Sequence, residues 1–89
     1  MQRPTITPEL QKRAIDIVLN RFNKKLEKRG RAALASEFET FGRIQQELHE
    51  FEEALHMKVI QPERINELAD VALYAIWGIA SLLTGECDW

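Results

Sequence analysis

The run Ser36-Glu37-Phe38-Glu39-Thr40-Phe41-Gly42-Arg43-Ile44-Gln45-Gln46-Glu47-Leu48-His49-Glu50-Phe51 decides the fold. Ser36 and Glu39 form a capping box, in which each side chain can satisfy the other residue's backbone N–H at a helix start. Beyond it, Phe41, Ile44, Leu48, Phe51 and Leu55 advance in alternate steps of three and four, the spacing of a bundle seam. The reading is a helix over about 37–57. Its phrase Glu47-Leu48-His49-Glu50-Phe51 returns twenty residues later as Glu67-Leu68-Ala69-Asp70-Val71. Both follow one template, acid-Leu-x-acid-apolar.

On the N-terminal side, Thr7-Pro8-Glu9 opens another helix. Thr7 can cap free N–H groups, Pro8 suits the first helical position, and Glu9 suits the positive end of the dipole. Ile15, Val18, Leu19, Phe22 and Leu26 give it an apolar stripe, and Gly30 stops it. Lys24, Lys25, Lys28, Arg29 and Arg31 crowd its end. They read either as a solvated helix end matched to the dipole or as contacts for phosphate oxygens. On the C-terminal side, Lys58 to Gln61 breaks the pattern and Pro62 starts a third helix. Ile65, Leu68, Ala72, Ile76, Ile79 and Leu83 form its expected seam, while Ala69, Ala75, Gly78 and Ala80 let neighbours approach. Gly85 ends it, leaving a tail from Glu86 to Trp89. No period-two alternation or hairpin turn signals a strand.

The expectation is therefore an all-α chain of three helices, about 8–29, 37–57 and 62–84, in a single domain over 1–89. A core of this size is marginal alone. The third helix is also apolar on more than one face, through Tyr74, Ile76, Trp77, Ile79, Leu82 and Leu83, which a three-helix monomer cannot bury entirely. Completion of the bundle as a homodimer or homotetramer is expected.

Net charge is -2, without the basic surplus of a dedicated nucleic-acid binder. The single cysteine, Cys87, excludes an internal disulfide and suits a reducing, cytoplasmic setting or an inert tail thiol. Met1 to Pro8 carries no apolar signal core. The apolar run from Val71 to Leu83 is 13 residues, short of the roughly 20 that span a bilayer, so it reads as a buried helix with no membrane partner.

Residues at i and i+3 share a helix side. Glu47 with Glu50, and Glu67 with Asp70, are two such pairs, each expected beside its apolar seam. In an antiparallel hairpin, Glu50 faces Glu67 and Glu47 faces Asp70 across a midpoint between Lys58 and Val59. One hand of packing makes the pairs converge; the other separates them. Convergence demands either protonation or a cation. Four hard oxygens suit Mg²⁺ or Mn²⁺, which can polarise a phosphoryl oxygen and acidify a water. The plainer alternative is surface acids, since 14 acids in 89 residues produce such pairs by chance.

Nearby, Arg43 is one turn before Glu47, where it can meet a phosphate or pair with Glu39 or Glu47. Asn66 precedes Glu67 and can orient a ligand. Tyr74 is one turn after Asp70, placed to stack on a base or to join the core. His49 with only His56 makes a poor zinc site. Trp77 and Trp89 read as packing residues. No glycine-rich phosphate loop and no nucleophile triad can be assembled.

The set Glu47-x-x-Glu50 and Glu67-x-x-Asp70, approached through Ala35-Ser36-Glu37-Phe38-Glu39 and Ile44-Gln45-Gln46-Glu47, resembles the E-E-x-x-E … E-x-x-D signature of MazG-type all-α nucleoside triphosphate pyrophosphohydrolases. The likeness is to short, phage-like members and spans roughly residues 32 to 84. It implies dimers or tetramers and Mg²⁺-dependent cleavage of a nucleotide substrate between the α- and β-phosphates. It implies Glu47, Glu50, Glu67 and Asp70 as metal ligands, with Glu47 and Glu50 also catalytic. The first glutamate of that signature is Gln46 here, which can hydrogen-bond water or substrate but supplies no carboxylate. A relative specific for phosphoribosyl-ATP or dUTP, or a non-catalytic helical interaction protein of the same fold, are the alternatives.

Overall fold

The computed structural model describes residues 2–85. It contains α1 (Pro8–Arg29), α2 (Glu37–His56) and α3 (Gln61–Leu83), and no strand among the described residues. The expected tail from Glu86 to Trp89, with Cys87, lies outside them. Each expected helix boundary falls within one residue of the observed one.

The ends form for local reasons. Thr7 Oγ1 accepts from Leu10 N at 3.1 Å, and Pro8 follows as the first helical residue. Gly30, at φ 87°, closes α1 and donates to Leu26 O. Ser36 Oγ accepts from Glu39 N, while the Glu39 carboxylate accepts from Ala35 N at 2.7 Å, one residue earlier than the capping box requires. The α2–α3 turn is locked by Lys58 at φ 54°. Lys58 N donates to Leu55 O and Val59 N to Ala54 O, the double bond of a Schellman motif. Buried Ala54 and half-buried Val59 flank it.

The central element is α3. The other two helices pack on either side of it, and their backbones do not meet each other. Leu34, Leu73, Tyr74 and Trp77 make the core, with Val18, Phe22, Leu26 and Ile44 against them. Tyr74 stacks on Trp77 at 5.8 Å between ring centroids, and Phe22 tilts onto Trp77 at 5.5 Å. The connector between α1 and α2 closes one end: Trp77 Nε1 donates to Ala32 O, and Ser81 Oγ accepts from Leu34 N. At Gly78 the approach of α2 leaves no room for a methyl group, because a Cβ there would strike the Thr40 side chain.

The expected seams do not all face inward. On α3 the buried stripe is Ala69, Asp70, Leu73, Tyr74, Trp77, Gly78 and Ser81. Ile65, Leu68, Ile76, Ile79 and Leu83 face outward, Leu83 at 82% exposure. On α2, Phe41, Leu48 and Leu55 are exposed, and the inner stripe is Ile44, Glu47, Phe51 and Ala54. A helix apolar on two faces offers two helical registers. The inward one is selected by aromatic side chains whose polar tips find partners. In consequence Glu47 and Asp70 lie on the buried stripes, not beside them.

Candidate metal centre

The hairpin has the converging hand. One carboxylate oxygen each from Glu47, Glu50 and Glu67 lie within 4.8 Å of one another. Glu47 is 8% exposed, Glu67 is half-buried and Glu50 faces solvent. The Schellman turn sets this register, since it fixes how far back along α3 the chain lies when it passes Glu50.

Two ionised carboxylates about 4 Å apart repel by roughly 4 kcal/mol at the effective dielectric of a protein surface. That repulsion, with burial, favours the protonated forms. Glu47 is pushed up to about 7, first by burial, then by its hydrogen-bonding proximity to Glu50 and the charges of Glu50 and Asp70, with Lys25 partly offsetting them. Glu67 is raised as well, first by burial and then by Glu50 and Asp70, against the pull of Arg21. Even so, Oε2 of Glu47 and Oε2 of Glu67 are buried with no hydrogen-bond donor. Buried acceptors without donors are costly, and a cation would satisfy both.

The donor set fits a hard divalent ion. Around an octahedral Mg²⁺ at about 2.1 Å, neighbouring oxygens are about 3 Å apart and opposite ones about 4.2 Å, so the cluster, whose oxygens lie within 4.8 Å of one another, would close by up to roughly 2 Å to take the ion. Three carboxylates leave positions for water and for phosphate oxygens.

Comparison with protein-family models, with curated proteins and with solved structures gives no match for this chain. The residues alone carry the functional reading.

Asp70 stands apart from the other three acids. It is 6% exposed, and both of its oxygens accept from Arg21, Nε to Oδ1 and Nη2 to Oδ2, each at 2.8 Å. Arg21 also lines a 220 Å³ groove with Lys24, Lys25 and Lys28. Of the basic residues singled out by sequence, Lys24, Lys25 and Lys28 therefore share a surface. Arg29 instead donates to the Tyr74 hydroxyl at 3.3 Å.

The proposed substrate contacts divide. Arg43 is half-buried one turn before Glu47 and has no ion pair among the described residues; Glu39 is engaged at the helix cap instead. Gln46 and Asn66 are exposed, each about 100° around its helix from a cluster glutamate. Of the two roles read for Tyr74, its surroundings fit the core rather than base stacking: at 1% exposure, its ring is stacked on Trp77 and covered by Lys25 Nζ at 5.7 Å. Its hydroxyl and its position beside Trp77 make it a core residue. His49 pairs outward with Glu53 at 2.8 Å.

Arg21 is the residue that sequence reading missed. It sits between Val18, Phe22 and Lys25 in the α1 stripe, where a charge requires a partner from another helix. Its place one turn after Val18 and beside Phe22 was the one local signal, and it does not name the partner.

Proposed function

We propose that this chain is a Mg²⁺- or Mn²⁺-dependent nucleotide pyrophosphohydrolase, cleaving a (d)NTP to the monophosphate and pyrophosphate. The observation carrying the reading is the convergence of Glu47, Glu50 and Glu67 around two donorless buried oxygens. Glu47, Glu50 and Glu67 would hold the metal, joined by Asp70 when it leaves Arg21. A bound metal would supply Lewis acidity toward a phosphate oxygen and a water. Glu50, on the solvent side, accepts the proton that water loses. The water oxygen bonds the α-phosphorus, and the bond to the bridging oxygen breaks, with its electrons leaving on pyrophosphate. Lys24, Lys25 and Lys28 offer positive charge to the phosphate oxygens. Arg43, Gln46 and Asn66 are the remaining candidates for substrate contact.

A pyrophosphate-release assay over the common nucleotides, phosphoribosyl-ATP and dUTP tests this, with Mg²⁺ and Mn²⁺ in turn. Glu50→Gln is expected to abolish release without loss of folding, its metal-free melting temperature at or above that of wild type because one repelling charge is gone. Unchanged turnover in that variant removes Glu50 from the mechanism.

The uncovered face of α3 supports a second element of the proposal, a homodimer or homotetramer. Ile65 and Leu68 line one groove against α1, of 570 Å³, and Ile76 lines the next, of 480 Å³. By length and composition α3 also suffices to cross a membrane, a criterion that packed core helices meet too. Light scattering on the wild type and on Ile76→Glu distinguishes these: a dimer or tetramer that the substitution dissociates supports the apolar face as an interface between copies. A wild-type monomer removes it.

A further inference from the structure

Asp70 occupies the level of the hairpin where a fourth ligand is expected, on the same side of α3 as Glu67 and opposite Glu47. Its charge acts on both of those glutamates. Yet its two oxygens are turned to Arg21 in a two-point ion pair. Asp70 is almost wholly buried, whereas the Arg21 side chain is 34% exposed and borders an open groove. The pair thus joins a fixed carboxylate to a guanidinium with somewhere to go. Arg21 comes from α1, while the three clustered glutamates come from α2 and α3.

We propose that Arg21 is a positioning residue that holds Asp70, the fourth carboxylate, out of the Glu47–Glu50–Glu67 cluster and yields it to a divalent cation. Without metal, the guanidinium prevents a fourth negative charge from joining three that already repel. A divalent cation among the glutamates offers Asp70 twice the charge of Arg21 at shorter range. On release, Arg21 joins Lys24, Lys25 and Lys28 as a fourth cation of the groove, which then favours a ligand with several phosphate oxygens. Metal binding would in this way prepare the phosphate-facing surface. The inference rests on the metal-centre reading above.

The test uses the full chain. In the metal-free wild type, the Arg21 Nε–H proton should resonate as a strongly hydrogen-bonded group and exchange slowly with water. Titration with Mg²⁺, which is diamagnetic, should move it to the position and exchange rate of a free arginine. In parallel, calorimetry with Mn²⁺ compares wild type, Arg21→Gln, Asp70→Asn and the double variant. Arg21→Gln should tighten Mn²⁺ binding by about tenfold, the scale on which altering a ligand's own hydrogen-bond partner changes metal affinity. In the Asp70→Asn background that gain should largely disappear. An equal gain in both backgrounds means Arg21 acts only through space and overturns the proposal, as does weaker binding in Arg21→Gln. If Arg21→Gln does not fold, the wild-type resonance decides alone. Metal binding with an unmoved Arg21 signal overturns this inference and leaves the metal centre standing. No binding by the wild type overturns both.

Discussion

Near the C-terminal end of α3, the Trp77 indole, the Ser81 hydroxyl and the Tyr74 phenol each have a hydrogen-bond partner. Two turns before Tyr74, half-buried Glu67 of α3 and buried Glu47 of the facing α2 leave two buried oxygens with none. Both regions are built from the same inward register, so helix geometry does not separate them. The difference is that the aromatic end is complete within one chain, while the acidic end keeps carboxylates whose burial and mutual repulsion favour proton uptake and are only partly offset by Lys25 and Arg21. One end stabilises the fold; the other is held in place by it. The two should therefore respond in opposite ways to substitution.

The largest effect is expected at the aromatic end. Trp77→Ala removes the ring shared by Tyr74 and Phe22 and the bond to Ala32, at a cost of about 3–5 kcal/mol. For a domain of this size that leaves little folded protein. Chemical denaturation of the variant checks it; a loss below about 1 kcal/mol would mean that the surrounding core closes over the gap.

The acidic end should show the reverse sign. Glu47 titrates near 7 in the folded chain and near the ordinary carboxylate value when unfolded, and Glu67 is shifted in the same direction. Between those values the folded state binds more protons, so metal-free stability falls as pH rises through that window and levels off above about 7. The drop is on the order of 2–3 kcal/mol. Glu47→Gln should flatten the curve and make the metal-free protein more stable at pH 8 than wild type. Metal should do for the wild type what the amide does for the variant, adding roughly 2.7 kcal/mol at a hundredfold excess over its dissociation constant. Melting curves at pH 5.5 and pH 8, with and without Mg²⁺, read all of this. A wild type more stable at pH 8 without metal would reverse the sign and remove the charge conflict.

A smaller effect is expected where α2 and α3 touch. Gly78→Ala gains helix propensity but forces its methyl into Thr40, for a net loss of about 1–2 kcal/mol. Because the contact lies two to three turns from the glutamates, Mg²⁺ should still raise its melting temperature by as much as in wild type. A lost metal shift there would show that the two ends are coupled more tightly than their separate chemistry suggests.

Much of this was legible in the residues. Thr7, Ser36, Gly30 and Pro62 act locally, so the helix limits could be read from them. The level pairing of Glu50 with Glu67 followed from a midpoint and a rise per residue. The inward faces were not legible, because α3 is apolar on two sides and only the tertiary partners of Tyr74 and Trp77 choose between them. Arg21 was missed for the same reason: its partner is 49 residues away. Nor was the left-handed residue of the α2–α3 turn legible: Lys58, at φ 54°, is a residue that sequence rules do not mark for that conformation.

That residue gives the smallest and most discriminating prediction. Lys58 holds φ 54°, a region that disfavours any side chain with a Cβ, and it donates to Leu55 within a motif that usually employs glycine. Lys58→Gly relieves that strain but enlarges the conformational freedom of the unfolded chain, so the net gain is about 0.5 kcal/mol. The motif's hydrogen bonds are backbone bonds and survive the change. The register across the turn should then survive too, with Glu50 still level with Glu67 and an unaltered Mn²⁺ affinity. Thermal melting and calorimetry of this one variant separate two roles for the turn. A slightly more stable protein with wild-type metal affinity means that the backbone alone sets the glutamates' register. A more stable protein that binds metal worse means that the Lys58 side chain helps to hold the hairpin at the acidic end.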